Sequence, residues 1–520
     1  MYKRISLMVL LVLSPLVSFS MDIAEEMTVI GTRTERSLDS VSATIKVISS
    51  DDIERELARD ISDLVRFEPG VSVGGSGSRF GLSGFNIRGI DGNRVLTLID
   101  GVRVADEFSF GPFLSSRRDY VDIDSLSKAE IARGPISSLY GSDALGGVVA
   151  FTTKAPRDYL GSERAHLGAK FGYSSLDSST VATFTGAIGN DRISALLLYT
   201  QREGDETETA NGSGGFGASR MDADPQSLES FNVVGKVEFM LSDTQRLTLS
   251  IDRYDNEVET KIFSDYGTLS RGTLVNSRDA RDERERARYA LTYSFDSETF
   301  FSDDVDITLY QQNSETEQLT LESRTSRSGA NEFRNRRSIF EQEIKGLLIQ
   351  SGKSFDVGLN NHFLTFGIEY FETQNESLRD GFTNDASGAP LFEFSPLPTR
   401  DFPITEISQT AFFLQDEISL LDGRLLLSPG LRYDKFEADT KADVIYRSGN
   451  PGVPAPVDFD DSEVTGKFGV VYRFGEVISV FAQYSEGFRA PPYDDVNVGF
   501  TNFIGGYKTI SNAGLESETS

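Results

Sequence analysis

From about residue 160 onward, hydrophobic and polar side chains alternate with a period of two. Apolar residues occupy alternate positions in Phe231–Leu241 and Leu247–Ile251, and the pattern returns in Tyr289–Phe295 and Leu425–Tyr433. This period places the apolar side chains on one face of a β-strand. Repeated segments of about ten such residues are typical of a transmembrane β-barrel. The alternative, a soluble sandwich or propeller, is disfavoured because no repeat of fixed length appears and the strands are too long and too many.

The connections between these segments are of two kinds. Tight turns are expected at Leu421-Asp422-Gly423 and Phe474-Gly475-Glu476. Long polar loops are expected at roughly 204–228, 260–283, 318–335, 376–403 and 440–462. Short turns on one rim and long loops on the other correspond to the periplasmic and outer faces of an outer-membrane barrel.

Residues 40–158 have a different pattern and predict a compact α+β domain. Thr44–Ser49 is a predicted strand, and the apolar residues of Asp51–Phe67 recur at helical spacing. Val95–Ile99 is a second predicted strand, turned by Asp100-Gly101. The glycine-rich run at 74–84 resembles a phosphate-binding loop only weakly, because the lysine and the following helix of that motif are missing.

The N-terminal residues predict export from the cytoplasm. Lys3 and Arg4 precede the apolar run Ile5–Val17, and small residues follow at Ser18 and Ser20. This arrangement predicts a signal peptide over residues 1–20. Residues 21–39 form a polar linker around a β-prone run, which consists of Met27, Thr28, Val29 and Ile30. That run could be an ordinary first strand or a strand added to the sheet of a partner.

Composition narrows the function further. The chain has 520 residues and a formal net charge of −29, so it lacks the basic character of a nucleic-acid-binding protein. Its longest strongly apolar stretch, Leu7–Phe19, is shorter than the roughly 20 residues of a spanning helix. There is no cysteine, and we find no catalytic triad or spaced metal motif. We therefore predict no enzyme activity, no resident cofactor and no metal site.

The strand count predicts an unfinished barrel. A barrel that encloses a domain of over a hundred residues needs about 22 strands. Residues 159–520 hold about 14 to 16 strands at roughly ten residues each. The final residues Glu516–Ser520 are polar, so we expect the C-terminal strands to be missing from a truncated sequence. The predicted fold is an antiparallel transmembrane β-barrel of the 22-stranded type, incomplete here, with an N-terminal α+β plug domain inside the lumen.

Three motifs in residues 40–158 resemble the plug of TonB-dependent outer-membrane receptors. They are Ile87-Arg88-Gly89, then Leu98–Arg103, then the run RGPISSLYGSDALGGVVA at 133–150, in the order and spacing of that family. Met27–Ile30 lies where the family carries its TonB box, and the resemblance favours that role over an ordinary first strand. The resemblance extends over about residues 25 to 520 and implies an outer-membrane location.

Other motifs are similar to the haem and haemoglobin receptors within this family. RRDYVDID at 117–124 resembles their plug, and Phe488, Arg489, Ala490 and Pro491 match their FRAP box. A second box of these receptors, a motif four residues long, is matched only at its first and last positions, by Asn512 and Leu515.

The resemblance implies a haem-iron ligand between the two boxes, usually a histidine. The chain has two histidines, and neither lies there: His166 falls in the first barrel strand and His362 in a predicted hairpin turn. Tyr493 and Tyr507 do lie between the boxes, and tyrosine is an alternative axial ligand of ferric haem iron. Both are also interpretable as ordinary aromatic residues of a rim or loop. Arg79 and Phe80, at the predicted plug apex, are candidates to contact a propionate and the porphyrin face.

The predicted function is therefore active import. Haem or a haemoprotein would bind outside, and the TonB box would pair with periplasmic TonB, which supplies the energy. Haem would be the transported ligand, and outer-membrane lipid and lipopolysaccharide would surround the wall. The alternative is a receptor of the same architecture for a ferric siderophore or a cobalamin-like ligand.

Overall fold

The structure is a computed structural model that describes residues 27–75, 79–111, 113–210, 212–270, 272–393, 396–475, 478–502 and 505–520. The predicted signal peptide, residues 1–20, lies outside these ranges. None of the helices within these ranges is long and apolar enough to cross a bilayer.

Thirteen long strands form one antiparallel meander, in which each strand pairs with the next along the chain. We call this sheet the wall. The short turn predicted at residues 421–423 lies between consecutive wall strands, as expected, and Glu476 of the turn predicted at 474–476 lies outside the described residues. The strands are β12 (Ala165–Ser174), β13 (Ser179–Gly189), β14 (Ile193–Asp205), β15 (Gln226–Ser242), β16 (Gln245–Lys261), β18 (Thr273–Asp296), β19 (Asp304–Thr325), β20 (Asn331–Val357), β21 (Asn360–Asp385), β22 (Ile404–Leu420), β23 (Leu425–Lys441), β24 (Phe459–Arg473) and β25 (Ser479–Ser485), with the short β17 (Leu269–Ser270) beside β18.

Alternation along each wall strand separates two environments. Leu197 and Tyr289 point outward and are 58% and 52% exposed, whereas Thr200 and Arg288 point inward and are buried. An apolar outer face suits lipid, and the ladder of paired strands satisfies the backbone polar groups that lipid cannot. The predicted antiparallel wall is confirmed.

The wall strands are longer and fewer than the sequence predicts. Instead of 14 to 16 strands of about ten residues, the described residues form thirteen, of which β20 has 27 residues and β21 has 26. A membrane crossing needs only about 9–11 residues. The polar ends of these strands therefore extend beyond the bilayer and occupy most of the loops predicted at 260–283 and 318–335.

Cross-strand ion pairs explain why those polar segments remain in the sheet. Arg281 Nε lies 2.7 Å from Glu257, and Arg337 Nε donates to Glu317 at 2.7 Å. Facing charges of opposite sign stabilise a strand pair in water. The sequence prediction was wrong here because it treated charged runs as loops.

Residues 27–160 form a separate α+β unit, the plug. Its central sheet has the order β3-β10-β11-β6-β7, in which β11 and β6 are parallel. The predicted strands Thr44–Ser49 and Val95–Ile99 are both present. The plug elements are β1 (Met27–Thr28), β2 (Arg36–Ser37), β3 (Thr44–Ser49), α1 (Ser50–Arg55), α2 (Ile61–Leu64), β4 (Val71–Val73), β5 (Phe85–Ile87), β6 (Val95–Ile99), β7 (Val102–Arg103), β8 (Phe108–Phe110), β9 (Leu114–Ser116), β10 (Leu126–Arg133), α3 (Ser137–Tyr140), β11 (Gly147–Thr153) and α4 (Arg157–Leu160), with 3-10 turns at Leu38–Ser40, Gly92–Arg94 and Ile123–Ser125.

The single helix predicted over Asp51–Phe67 is two short helices. Leu57 has a φ of +52°, which interrupts helical geometry between α1 and α2. The first helix is capped by Ser49, whose hydroxyl accepts from the Asp52 amide. Two short helices, separated by a break at Leu57, thus replace the one continuous helix that was predicted.

The plug lies against the inner face of the wall. Arg288 on β18 donates to Asp100 at 2.7 Å, and Arg202 on β14 donates to Asp122 at 2.8 Å. On the far side, Arg432 on β23 donates to the carbonyl oxygen of Leu139 at 3.1 Å. Strands widely spaced along the meander thus contact one plug, and the predicted internal plug is confirmed.

The residues after β25 fold back over the plug instead of extending the wall. Their elements are β26 (Phe488–Arg489), α6 (Tyr493–Val496), β27 (Thr501–Asn502), β28 (Tyr507–Lys508) and β29 (Glu518–Thr519), and a further helix, α5 (Val444–Gly449), lies in the loop before β24. β26 pairs with β29. We call residues 486–520 the return segment.

Replacing Gly147 by alanine should destabilise the plug. Gly147 has a φ of +152°, and a Cβ there would lie 2.3 Å from the Ala132 carbonyl oxygen. We expect a loss of about 1–3 kcal/mol in the free energy of plug unfolding. Chemical denaturation of the purified receptor measures this loss, and limited proteolysis reports opening of the plug.

Gly475→Ala is the matched control, because a Cβ at Gly475 meets open space and its φ is ordinary. Equal denaturation midpoints for the two variants would contradict the prediction.

Candidate functional site

The return segment is attached to the plug where two of the sequence motifs meet. The Phe488 amide donates to Ser137 Oγ at 3.0 Å, and the Ala490 amide donates to Ser142 Oγ at 3.1 Å. The Asp143 amide donates back to the Phe488 carbonyl at 3.2 Å. The FRAP residues and the plug run 133–150 therefore form one interface, which the sequence did not predict.

A cleft opens between the plug, the wall and the return segment. Its charged lining residues are Arg103, Asp106, Arg118, Asp143, Arg489 and Asp494. Tyr493 and the wall residues Ile407 and Phe436 also line it. We call it the interface cleft.

Burial changes the acid–base properties of two cleft carboxyls. Burial, with Asp495 nearby, raises the pKa of Asp494 to about 7. Burial, with Asp143 nearby, also raises the pKa of Asp106. Both groups therefore carry less negative charge near neutral pH than an exposed aspartate.

The two tyrosines between the boxes lie in different environments. Tyr493, in α6, is 6% exposed, and its ring meets Phe402 edge-on at 5.1 Å. Burial raises the pKa of its hydroxyl well above the usual value. Tyr507, in β28, is 58% exposed and lies 6.0 Å from the Phe500 ring. Tyr507 is therefore the more accessible of the two candidate ligands.

Arg79 and Phe80 do lie at the edge of the plug, facing the wall. Arg79 forms two hydrogen bonds to Asp282 on β18, at 2.7 and 2.8 Å. Its guanidinium lies 5.1 Å from the Phe80 ring. A propionate at Arg79 would therefore compete with the carboxylate of Asp282.

An aromatic cluster that the sequence analysis missed lies where the plug, wall and return segment meet. Phe108 contacts Phe340 at 5.2 Å and Phe402 at 5.0 Å between ring centroids. Phe110 and Phe113 each contact Phe500. These six phenylalanines are called the aromatic platform, and the closely spaced Phe108, Phe110 and Phe113 were its sequence signal.

A cation lies against the aromatic platform. The Arg379 guanidinium is 4.5 Å from the Phe113 ring and 5.1 Å from the Phe110 ring. Its Nε donates to Asp401 at 2.5 Å, and burial raises the pKa of that carboxyl to about 6. Phe113 is 38% exposed, so part of the platform is open to a ligand.

The second box residues lie at the far end of the return segment. Asn512 and Leu515 are exposed, and the Asn512 amide donates to the Val496 carbonyl at 2.8 Å. Asn512 also accepts from the Gly514 amide through its side-chain oxygen, at 3.2 Å. These hydrogen bonds stabilise a turn, so Asn512 and Leu515 have a structural role here.

Neither histidine lies near the aromatic platform or the cleft lining. His166 is on β12, with its ring 4.9 Å from that of Tyr159. His362 is within β21 rather than in a turn, because the hairpin turn lies before Asn360. It stacks on Phe355, and its Nδ1 is 2.8 Å from Asp416. Among the described residues, no group of three or more His, Cys, Asp or Glu could hold a metal ion.

The predicted TonB box is docked on the plug. Met27–Thr28 pairs with Arg36–Ser37, and Thr28 and Ile30 are buried. The Val29 amide donates to the Glu130 carboxylate at 2.8 Å. Met27 and Thr28 thus form a short paired strand, and the chain turns at Val29 and Ile30.

Arg33, just after this run, connects it to both plug and wall. Its Nε donates to the Leu139 carbonyl at 2.7 Å, and its Nη2 lies 3.1 Å from Glu369 on β21. The guanidinium also stacks 4.2 Å from the Phe413 ring. Arg33 therefore fixes the base of the predicted TonB box inside the lumen.

Comparison with known families assigns this architecture to a class. Residues 37–148 match the model of the TonB-dependent receptor plug domain. Residues 239–520 match the model described as TonB dependent receptor-like, beta-barrel. The chain therefore belongs to the TonB-dependent receptors, a family of outer-membrane receptors and not of enzymes.

Several curated relatives are proteins of Haemophilus influenzae. The probable hemoglobin and hemoglobin-haptoglobin-binding protein 4 is 32% identical over 321 residues, which cover 58% of this chain and 31% of the relative. Hemoglobin-binding protein A is 33% identical over 305 residues, which cover 54% of this chain and 29% of the relative. The matched part thus spans about a third of the length of these relatives.

Solved structures support the fold. The hemophore receptor HasR of Serratia marcescens, in complex with HasA and heme, aligns with a TM-score of 0.67 at 18% identity, covering 92% of this chain and 68% of HasR. The ferric preacinetobactin receptor BauA of Acinetobacter baumannii aligns with a TM-score of 0.61 at 17% identity, covering 91% and 68%. At such identities the likeness concerns architecture alone.

Proposed function

We propose that this receptor binds haem or a haemoprotein outside the cell and imports haem into the periplasm. The observation that carries the proposal is the aromatic platform, which is partly exposed and has Arg379 against it. Flat aromatic ligands bind well to aromatic side chains that offer ring faces and edges. The names of the curated relatives, which refer to hemoglobin binding, support the same ligand.

The proposed binding region extends from the platform to Tyr507. Tyr507 is exposed beside Phe500, so its hydroxyl is available to a ferric porphyrin lying on the platform. Tyr493, which is buried against Phe402, would contact the porphyrin from the inner side of the platform. Arg79 and Phe80 form a second candidate contact, which requires a propionate to replace Asp282.

In the proposed transport step, TonB pairs with Met27–Ile30. Only Met27 and Thr28 of this run are extended, and their pairing with Arg36–Ser37 covers two residues on each side. Release would free the Val29 amide from Glu130 and make backbone groups available for strand addition. Ligand binding would favour release only if the ligand binds the undocked state more tightly.

The environment of the receptor completes the proposal. Outward-facing residues such as Leu197 and Tyr289 would contact outer-membrane lipid, and the polar strand ends above them would reach the lipopolysaccharide layer. A ferric siderophore or cobalamin-like ligand is the second candidate, because siderophore receptors share this architecture.

Growth of an iron-starved host without other receptors tests the ligand directly. We expect the receptor to support growth on haem or haemoglobin, because the platform fits a flat macrocycle. Ferric siderophores are supplied in parallel cultures. Growth on a siderophore alone would contradict the haem assignment and leave the transport class intact.

Changing Tyr507 to Phe should alter the iron coordination of bound haem. Loss of the phenolic oxygen removes an axial ligand, which shifts the visible absorption spectrum of the receptor–haem complex. Tyr493→Phe is measured beside it, and we expect the smaller change there because Tyr493 is buried. Unaltered spectra in both variants would exclude tyrosine coordination.

Changing Val29 to Pro should abolish uptake without reducing surface binding of haem. Proline lacks the N–H needed for strand pairing, and the platform is far along the chain from this site. Uptake of radiolabelled haem and binding to whole cells at low temperature measure the two steps separately. Val29→Leu is the control because it keeps the N–H. Normal uptake by the proline variant would argue against a coupling role for this run.

A further inference from the structure

Arg118 is a buried arginine without a close ionic partner. It is 4% exposed, and no carboxylate of the described residues lies within 4 Å of its guanidinium, although Asp106, Asp143 and Glu107 attract it from farther away. Its Nη1 donates to the Val95 carbonyl at 2.8 Å and to the Gly92 carbonyl at 3.3 Å. Its Nε has no hydrogen-bond partner in the described part of the chain.

Other buried arginines in the lumen are neutralised. Arg286 lies 2.6 Å from Asp252, Arg288 lies 2.7 Å from Asp100, and Arg432 lies 2.8 Å from Asp434. Burying a charge without a counter-charge is costly, so this pattern is the expected one. Arg118 departs from it, because its carboxylate neighbours lie beyond ion-pair distance and its Nε makes no hydrogen bond within the described residues.

The position of Arg118 shows where an anion would bind. Arg118 lines the interface cleft together with Arg103 and Arg489. Arg103 pairs with Asp143 at 3.1 Å, and its Nε is also without a partner among the described residues. Two buried guanidinium groups with unused donors therefore border one cavity.

Three carboxyls also line the cleft, and burial weakens the negative charge of two of them. Asp143 is shared between Arg103 and the more distant Arg489, at 3.1 and 3.7 Å. The pKa of Asp106 is raised by burial, and that of Asp494 is raised to about 7. Both carboxyls therefore carry less negative charge near neutral pH than an exposed aspartate would.

The cleft adjoins the buried side of the aromatic platform. Ile407, Phe436 and Tyr493 line the cleft and also belong to the hydrophobic cluster that contains Phe108, Phe340 and Phe402 of the platform. The cleft and the platform are therefore neighbouring parts of the same boundary between plug, wall and return segment.

We propose that the interface cleft is a binding site for a carboxylate of the transported ligand, with the unpaired Arg118 as its principal ion-pair partner and Arg103 as a second donor. The proposal deepens the proposed function and rests on it, because the porphyrin of haem carries two carboxylate arms. A free inorganic anion is the other source of the same chemistry.

Equilibrium binding of two porphyrins to the purified full receptor tests this site. The probes are iron mesoporphyrin IX, which has two free carboxylates, and its dimethyl ester, in which both are blocked. For the unmodified receptor we expect the free acid to bind at least about tenfold more tightly than the ester, as a charge-assisted hydrogen-bonded pair predicts. Arg118→Gln should remove most of this preference.

Arg117→Gln is the matched control. Arg117 is the neighbouring arginine, is also without an ion pair in the described residues, and does not line the cleft. We expect it to keep the full preference for the acid. Unchanged ester binding in Arg118→Gln verifies that this variant is folded.

A second variant keeps the proposal testable if Arg118→Gln does not fold. Arg118→Lys retains the charge but loses the planar donor pair, so we expect the preference to fall several-fold without vanishing. An unchanged preference in every folded Arg118 variant would overturn the proposal while leaving haem import in place.

The remaining outcomes are also decisive. Equal binding of acid and ester by the unmodified receptor would overturn the carboxylate site but not the haem assignment. Failure of both porphyrins to bind would overturn the proposed function and the site together. Displacement of the acid by inorganic phosphate at equal affinity would identify a general anion site, which would overturn the assignment to a ligand carboxylate.

Discussion

A wall that faces lipid on one side must be polar on the other, and the rest of this structure depends on that constraint. Period-two alternation sends Leu197 and Tyr289 outward, so Thr200 and Arg288 point into the lumen. Buried polar groups need partners, which the plug provides. The contacts of Arg288 with Asp100 and of Arg202 with Asp122 are examples. Removing one member of such a buried pair typically costs about 3–5 kcal/mol, so these pairs also fix the position of the plug.

The same constraint makes a buried charge without a close partner stand out. Among the described residues, the other buried arginines have a carboxylate within ion-pair distance, and Arg118 does not. Its neighbours Phe488–Ala490 are held to the plug by Ser137 and Ser142, so the return segment covers the cleft from one side. The aromatic platform lies on the same boundary. Apolar ring faces and unpaired positive charge are thus placed together, which is the combination that an amphipathic anionic macrocycle requires.

The sequence predicted the architecture well and the candidate site only in part. Alternation and the run at 133–150 were sufficient for a wall with an internal plug. Strand ends such as Arg281 were misassigned, because charged residues that pair across strands resemble loop residues when partners are unknown. The break at Leu57 depends on a backbone conformation that periodicity does not encode. Tyr493 and Tyr507 lie close in sequence, and only the fold shows that one is buried and the other exposed.

The edge position of β3 has a mechanical consequence. This strand follows the docked run Met27–Ile30 and has a single neighbour in its sheet, β10, which remains bonded to β11 on its other side. A chain drawn out from its N-terminal end would lose the two-residue pairing of β1 with β2, then the contacts of Arg33, then one ladder of β3. Four strands of the sheet would stay joined. Extraction can therefore proceed in stages, each with its own resistance, and can stop before the whole plug unravels.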